Sequence, residues 1–330
     1  MRKLLFMIAI VLLPTLSNFA REAEDSLTTD STAISEEDSI AAVMDTLDIE
    51  QLYKNAAKWE VGNARKTVKA AREELIERGE EALDYIFFEK YAYTGGLEDR
   101  ATKATIKALL DEAEWRIYDC LGDNPRGYLA TSARYIGNFK LEDGYDSLLA
   151  MLEDTTEDRR KIRNTVIRAI GDFGNPDAAP KLHQFLEDTL EYTRITAAVA
   201  LGKLKNPKSI EHLIEHLDDS LFTVRQAITL ALPKFGKDAL KRLDKRYKNT
   251  YNEKIKLECI RIISRFNDDD LRKKVFRILR RKSRSDDRRL KGHALLGMKK
   301  LRPDKVDRKF RKEIEKENDP FIKWVLEMEK

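Results

Sequence analysis

Ile170-Gly171-Asp172-Phe173, Leu201-Gly202-Lys203-Leu204, Leu232-Pro233-Lys234-Phe235 and Ile263-Ser264-Arg265-Phe266 follow one another at a constant step of 31 residues. Seven residues before each lies a cation: Arg163, Arg194, Arg225 and Lys256. A fixed period of this size means that one supersecondary unit stacks on the next and buries its apolar face only with its neighbours' help. The expected product is a long surface.

Within a unit the apolar spacing is helical, at i, i+3, i+4 and i+7. First helices (A) are expected over 177–187 and 209–217, and second helices (B) over 192–204 and 223–235. Asn175-Pro176, Asn206-Pro207 and Arg302-Pro303 mark the turns between units, since proline fits the first turn of a helix where no amide donor is missed. Pro233 stands where other units have Gly or Ser and is expected to loosen the last turn of its helix. Outside the regular section, helices are expected over 63–78, 80–91 and 105–121.

These residues resemble a known repeat. Asp219, Val224-Arg225 and Ala231-Leu232, like Asp188, Thr193-Arg194 and Ala200-Leu201-Gly202 one unit earlier, are similar to HEAT-like repeats of the phycobilisome-lyase type. The resemblance is clearest over 143–301. It implies an all-α, right-handed α-solenoid of stacked antiparallel helix pairs, with the B helices lining a concave face. It says little about function, because such repeats serve many roles.

The composition agrees with an all-helical chain. Of 330 residues, 42% are hydrophobic and 36% charged, with only 14 Gly and 8 Pro. Residues 1–20 read as a signal peptide: Arg2 and Lys3, an apolar run from Leu4 to Leu13, then Pro14 and small residues. That run falls short of the roughly 20 residues needed to span a bilayer, so no transmembrane segment is expected in the mature form. The expectation is export, to the periplasm or beyond. Residues 21–48 form an acidic, Ser/Thr-rich stretch with Arg21 as its only cation, expected to be a disordered tail. The α-solenoid is expected over 49–330. Export permits disulfides, but Cys120 and Cys259 lie about four repeats apart, and layers advance by roughly 8–10 Å. That separation far exceeds the ~7 Å Cα limit, so both are expected as buried free thiols.

The candidate chemistry is thin. His212-Leu213-Ile214-Glu215-His216 matches a zinc-peptidase signature, but Leu213, Ile214 and Leu217 fall at core positions and the two His at a surface edge. Some HEAT-like enzymes hold a di-iron centre on His-Glu dyads, and no His here is followed directly by Glu. Glycine-rich phosphate loops and nucleophile elbows are equally missing from the sequence. The expectation is a non-enzyme with no cofactor.

Cations carry more information. If Val224, Ala227, Ile228, Ala231 and Leu232 face the core, the repeat places Arg163, Arg168, Arg194, Lys203, Arg225, Lys234, Lys256, Arg261 and Arg265 on or near the concave side. The cation that opens each B helix has a competing role, pairing with the acidic turn residues Asp154, Asp188 and Asp219. A second basic region, 268–316, holds 20 Lys or Arg, centred on Arg280, Arg281 and Arg284. The partner-binding candidates are therefore Arg168, Lys203, Lys234, Arg261, Arg265, Arg280, Arg281 and Arg284. They favour a protein with an acidic surface, or alternatively an anionic cell-surface polymer or membrane. Nucleic acid ranks lower, because no aromatics are interleaved for base stacking. The acidic stretch 22–48 is a candidate competitor for the same basic face.

Overall fold

The computed structural model describes residues 35–62, 64–91, 95–121, 126–154, 156–301 and 318–327. The expected signal peptide and the expected tail up to residue 34 lie outside them. The chain divides after Glu77 into two compact units, whereas the sequence suggests one array from residue 49.

The first unit contains α1 (Glu36–Asp45), α2 (Ile49–Ala56) and α3 (Ala64–Glu77). α1 replaces the end of the expected tail with ordered helix. A capping box explains its start: the Ser35 hydroxyl accepts from the Asp38 amide, and the Asp38 carboxylate accepts from the Ser35 amide. Three acids in the first turn suit the positive end of the helix dipole, and Met44 is buried. α2 and α3 bury Leu52, Tyr53, Ala56, Val68, Ala71 and Leu75. Arg72 Nε closes the pair by donating to the Ala56 carbonyl at 3.2 Å.

The second unit is an all-α solenoid of stacked helix pairs, with no strand among the described residues. It opens with α4 (Glu80–Tyr85), which continues as a π turn (Ile86–Lys90), then α5 (Gly96–Ala108) and α6 (Leu110–Asp119). The single helix expected over 105–121 is thus broken at Leu109. Ile106, Ala113 and Ile117 are all buried, so the apolar rhythm runs straight through the break and hides it.

The regular B layer comprises α7 (Arg126–Phe139), α9 (Glu157–Phe173), α11 (Glu191–Leu204), α13 (Phe222–Ala231), α15 (Glu253–Ile263) and α17 (Arg288–Leu301). The A layer comprises α8 (Tyr145–Glu153), α10 (Ala179–His183), α12 (Ser209–Glu215), α14 (Gly236–Asn249) and α16 (Asp269–Lys282), and α18 (Pro320–Glu327) packs on α17. Successive B helices pack on one another, as do α10, α12, α14 and α16 of the A layer. Pro233 has the expected effect: α13 stops at Ala231 and the chain tightens into a 3-10 turn over Leu232–Phe235, because proline has no amide to continue the ladder.

The repeat period now has a packing reason. A Cβ placed on Gly171 would lie 2.8 Å from Ala200 Cβ, and one on Gly202 would lie 2.7 Å from Ala231 Cβ. Gly137 meets the Ala169 backbone in the same way. α7, α9 and α11 thus each approach the next B helix through a glycine-on-alanine contact that admits no larger side chain. The ends of α7, α9 and α11 repeat as well. Lys140, Gly174 and Lys205 all take positive φ, at 57°, 89° and 54°, the left-handed residue that ends a helix.

Candidate protein-binding face

The turn between the A and B helices is built on one acidic oxygen. Oδ1 of Asp188 accepts the Leu190 amide, and Oδ1 of Asp219 accepts the Leu221 amide, both at 2.8 Å. The arginine opening the B helix then holds its own turn: Arg194 donates to the Asp188 carbonyl at 2.9 Å, and Arg225 to the Asp219 carbonyl at 2.6 Å. Its remaining nitrogens reach forward. Arg194 grips the Asp219 carboxylate through Nε and Nη2 at 2.8 and 3.2 Å. Arg163 approaches Asp188 at 3.9 Å. At the next step the acid is replaced by Thr250, whose hydroxyl still accepts the Asn252 amide at 3.2 Å. Having no carboxylate there, Arg225 turns to buried Glu258 at 3.2 Å.

Arg163, Arg194 and Arg225 therefore form a ladder between repeats. Lys256, at the fourth place in the series, bonds Glu253 of its own helix at 2.9 Å. These four cations are structural fixtures rather than part of an open binding row.

The open surface of the B layer lies one helical face away. Lys161, Arg168 and Asp172 face outward from α9, and Tyr192, Ile195, Val199 and Lys203 from α11. Thr223, Gln226, Leu230 and Lys234 follow from α13 and its 3-10 turn, then Lys254, Leu257, Arg261 and Arg265 from α15. Contacts between neighbouring helices tie this face together. Arg168 donates to the Tyr192 hydroxyl at 2.5 Å, Lys203 pairs with Asp172, and Arg261 donates to Gln226 at 3.3 Å. Arg261 also holds both oxygens of Glu258 and stands 5.1 Å over the Phe222 ring.

Five of the candidates share this face: Arg168, Lys203, Lys234, Arg261 and Arg265. Asp172, which offsets Lys203, stands at the head of a row that continues as Lys234 and Arg265. Lys234 is held below its ordinary pKa by partial burial and then by the ammonium groups of Lys203 and Lys205. Beyond Arg265 the face deepens into a groove between α15 and α17. Ser264 and Gly297 meet at its floor, where a Cβ on Gly297 would fall 2.5 Å from Ser264 Cβ. Arg261, Arg265, His293, Leu296 and Lys300 line it. His293 and Lys300 were not among the sequence candidates, because the contact pairs Ser264 with Gly297, 33 residues on, and a strict step of 31 does not find them.

Arg280, Arg281 and Arg284 are elsewhere, at the end of α16 in the A layer and just beyond it. Arg281 and Lys282 both converge on Asp244, at 3.3 and 3.1 Å. Lys282 lies 3.1 Å over the Tyr247 ring, and burial lowers its pKa to about 8. Arg280 is half-buried and Arg284 exposed.

The His212–His216 pair sits on α12 and its following turn, with Leu213, Ile214 and Leu217 buried beside it. The His212 ring stacks on His183 of the previous unit at 3.9 Å, while His216 Nδ1 and the His212 carbonyl are 2.7 Å apart. No group of three or more His, Cys, Asp or Glu positioned for a metal occurs among the described residues. Both cysteines are free and buried, and burial pushes Cys120 to about 11 and Cys259 to about 12.

Comparison with known proteins places the repeat. Residues 155–233 match the HEAT repeats family. This segment is built of HEAT-like repeats. The chain aligns with the complex of CpcE and CpcF of phycocyanin lyase from Nostoc sp. PCC7120 at 22% identity and a TM-score of 0.37, covering 55% of this chain and 74% of that one. It also aligns with an engineered protein at 15% identity and a TM-score of 0.42, covering 89% and 90%. No curated protein sequence matches.

Proposed function

We propose that the protein is an exported, non-enzymatic interaction scaffold whose B-helix face binds a protein with an acidic surface. The observation that carries this is the row Lys203, Lys234 and Arg265 at one repeat position on successive B helices, of which Lys234 and Arg265 are exposed. Cations repeated at one position of a stacked array present a summed field that favours an anionic partner. HEAT repeats favour a scaffold in general terms, and no helix among the described residues is long and apolar enough to cross a membrane.

Export rests on the composition of residues 1–20. The test of the binding face uses a fluorescein-labelled oligoglutamate peptide and the full chain. Reversal of Lys203, Lys234 and Arg265 to Glu is expected to weaken binding at least tenfold at low salt, with a flattened salt dependence. Unchanged affinity in that variant sinks the proposal.

A second reading, binding of an anionic polymer or membrane surface through residues 268–316, has a narrower footing. Arg284 lines an open pocket with Arg288 and Lys291, although Arg281 is engaged with Asp244. Heparin retention abolished by reversal of Arg280, Arg281 and Arg284, with the B face intact, favours this second reading.

A further inference from the structure

The middle of the B-helix face carries apolar side chains between Arg168 on α9 and Arg261 on α15. Its outward positions are Ile195 and Val199 on α11, Leu230 on α13, Leu257 on α15 and Leu296 on α17. Leu230 is 49% exposed, and Tyr192 at the edge of the same face is 55% exposed. A lone exposed leucine on a soluble protein needs no explanation. Here the apolar positions recur on four successive helices, flanked on one side by Lys203, Lys234 and Arg265. The groove beyond repeats the arrangement, with Leu296 between His293 and Lys300 opposite Arg261 and Arg265. A surface that met only diffuse negative charge would have no use for this apolar centre.

We propose that this face reads an acidic amphipathic helix of a protein partner, lying across the B helices. This rests on the acidic-partner reading above and adds the partner's shape. Neighbouring helices pack at roughly 8–10 Å, while seven residues of an α-helix rise about 10.5 Å. A crossing helix thus presents one apolar residue to each B helix when these recur about every seven positions. Val199, Leu230 and Leu296 receive that stripe, on α15 Leu257 does so one turn before Arg261, and carboxylates on its flank meet Arg261, Lys203, Lys234 and Arg265. Four anchors seven positions apart require a partner helix of at least about 22 residues, at 1.5 Å per residue. Recognition by anchors on one face of a helix in a groove is a recurring mode of peptide binding.

The test uses two labelled Glu/Leu peptides of identical composition, measured by fluorescence anisotropy against the full chain. One carries Leu at every seventh position with Glu on the flanks; in the other the Leu are scattered. The patterned peptide is expected to bind about tenfold more tightly, a difference of about 1.4 kcal/mol. That preference is expected to vanish in Leu230→Ser/Leu257→Ser, while oligoglutamate binding and the thermal midpoint stay near wild type. Equal binding of the two peptides, or a preference that survives the leucine changes, overturns the helix proposal. If both peptides still weaken on reversal of Lys203, Lys234 and Arg265, the acidic-partner reading stands without it. Binding of neither peptide, or binding indifferent to the cations, overturns both.

Discussion

Arg194 closes the bond between two repeats by gripping Asp219 with two nitrogens, at 2.8 and 3.2 Å, while a third reaches back to the Asp188 carbonyl. Its side chain is 13% exposed and that of Asp219 only 7%. Burial alone would raise the Asp219 carboxyl, but the Arg194 hydrogen bonds and the Leu221 amide hold it below its ordinary value. A depressed carboxylate stabilises the fold above its unfolded pKa and loses that contribution as pH falls through its folded one. Asp219→Ala leaves a half-buried guanidinium without its partner and a turn amide without its acceptor. The expected loss is about 1–3 kcal/mol, measured by urea denaturation at pH 7, and it should shrink toward pH 3. An equal loss at both values would remove the carboxylate's charge from the explanation.

Gly202→Ala sets two effects against each other. Alanine in a helix gains about 1 kcal/mol over glycine, but the new methyl falls 2.7 Å from Ala231 Cβ. Overpacking of this kind typically costs 1–3 kcal/mol, so net destabilisation is expected. Ala231→Gly in the same chain should recover part of it, because one of the two clashing methyl groups is then gone. Additive losses in the double variant would show that the two helices do not meet through these residues.

Lys140 ends α7 at φ 57°, in the left-handed region. A non-glycine residue there costs roughly 1–2 kcal/mol, and glycine's larger unfolded entropy takes back part of any gain. Lys140→Gly is expected to raise the denaturation midpoint modestly. A drop would mean that the lysine side chain contributes more than its backbone costs.

His183 is pressed down to about 4 by burial and by the stacked His212 ring, and its Nε2 lies 3.0 Å from the Ser209 hydroxyl. The unfolded chain takes up a proton near 6.5 that the folded chain refuses until about 4. Stability should therefore fall as pH drops through that window, and His183→Gln should flatten the slope. Asp219 does not confuse the measurement, since its loss begins only below the ordinary carboxylate value. A slope unchanged by the substitution would place the proton elsewhere.

Much of the array is written in local chemistry. The Asn-Pro turns and the loosened helix end at Pro233 follow from backbone preferences that act over a few residues, and the 31-residue period is visible in the sequence although its reason is the packing of one helix on the next. The core placement of Leu213, Ile214 and Cys259 follows from helical spacing. The helix at Glu36–Asp45 was also readable, since Ser35 and Asp38 form a capping box, but the acidic composition around it masked the signal.

Partnership between repeats was decided by the tertiary structure. The sequence showed that Arg194 and the acidic turns recur together, yet not that Arg194 binds the carboxylate of the following unit and only the carbonyl of its own. It could not bring His183 onto His212, or Lys300 into the groove with Arg265. Nor could it set Arg281 against Asp244 in the other layer, because like charges look alike until helices are packed. Periodicity determines which face of each helix is buried. Which cation remains open to a partner depends on what the next helix places opposite it.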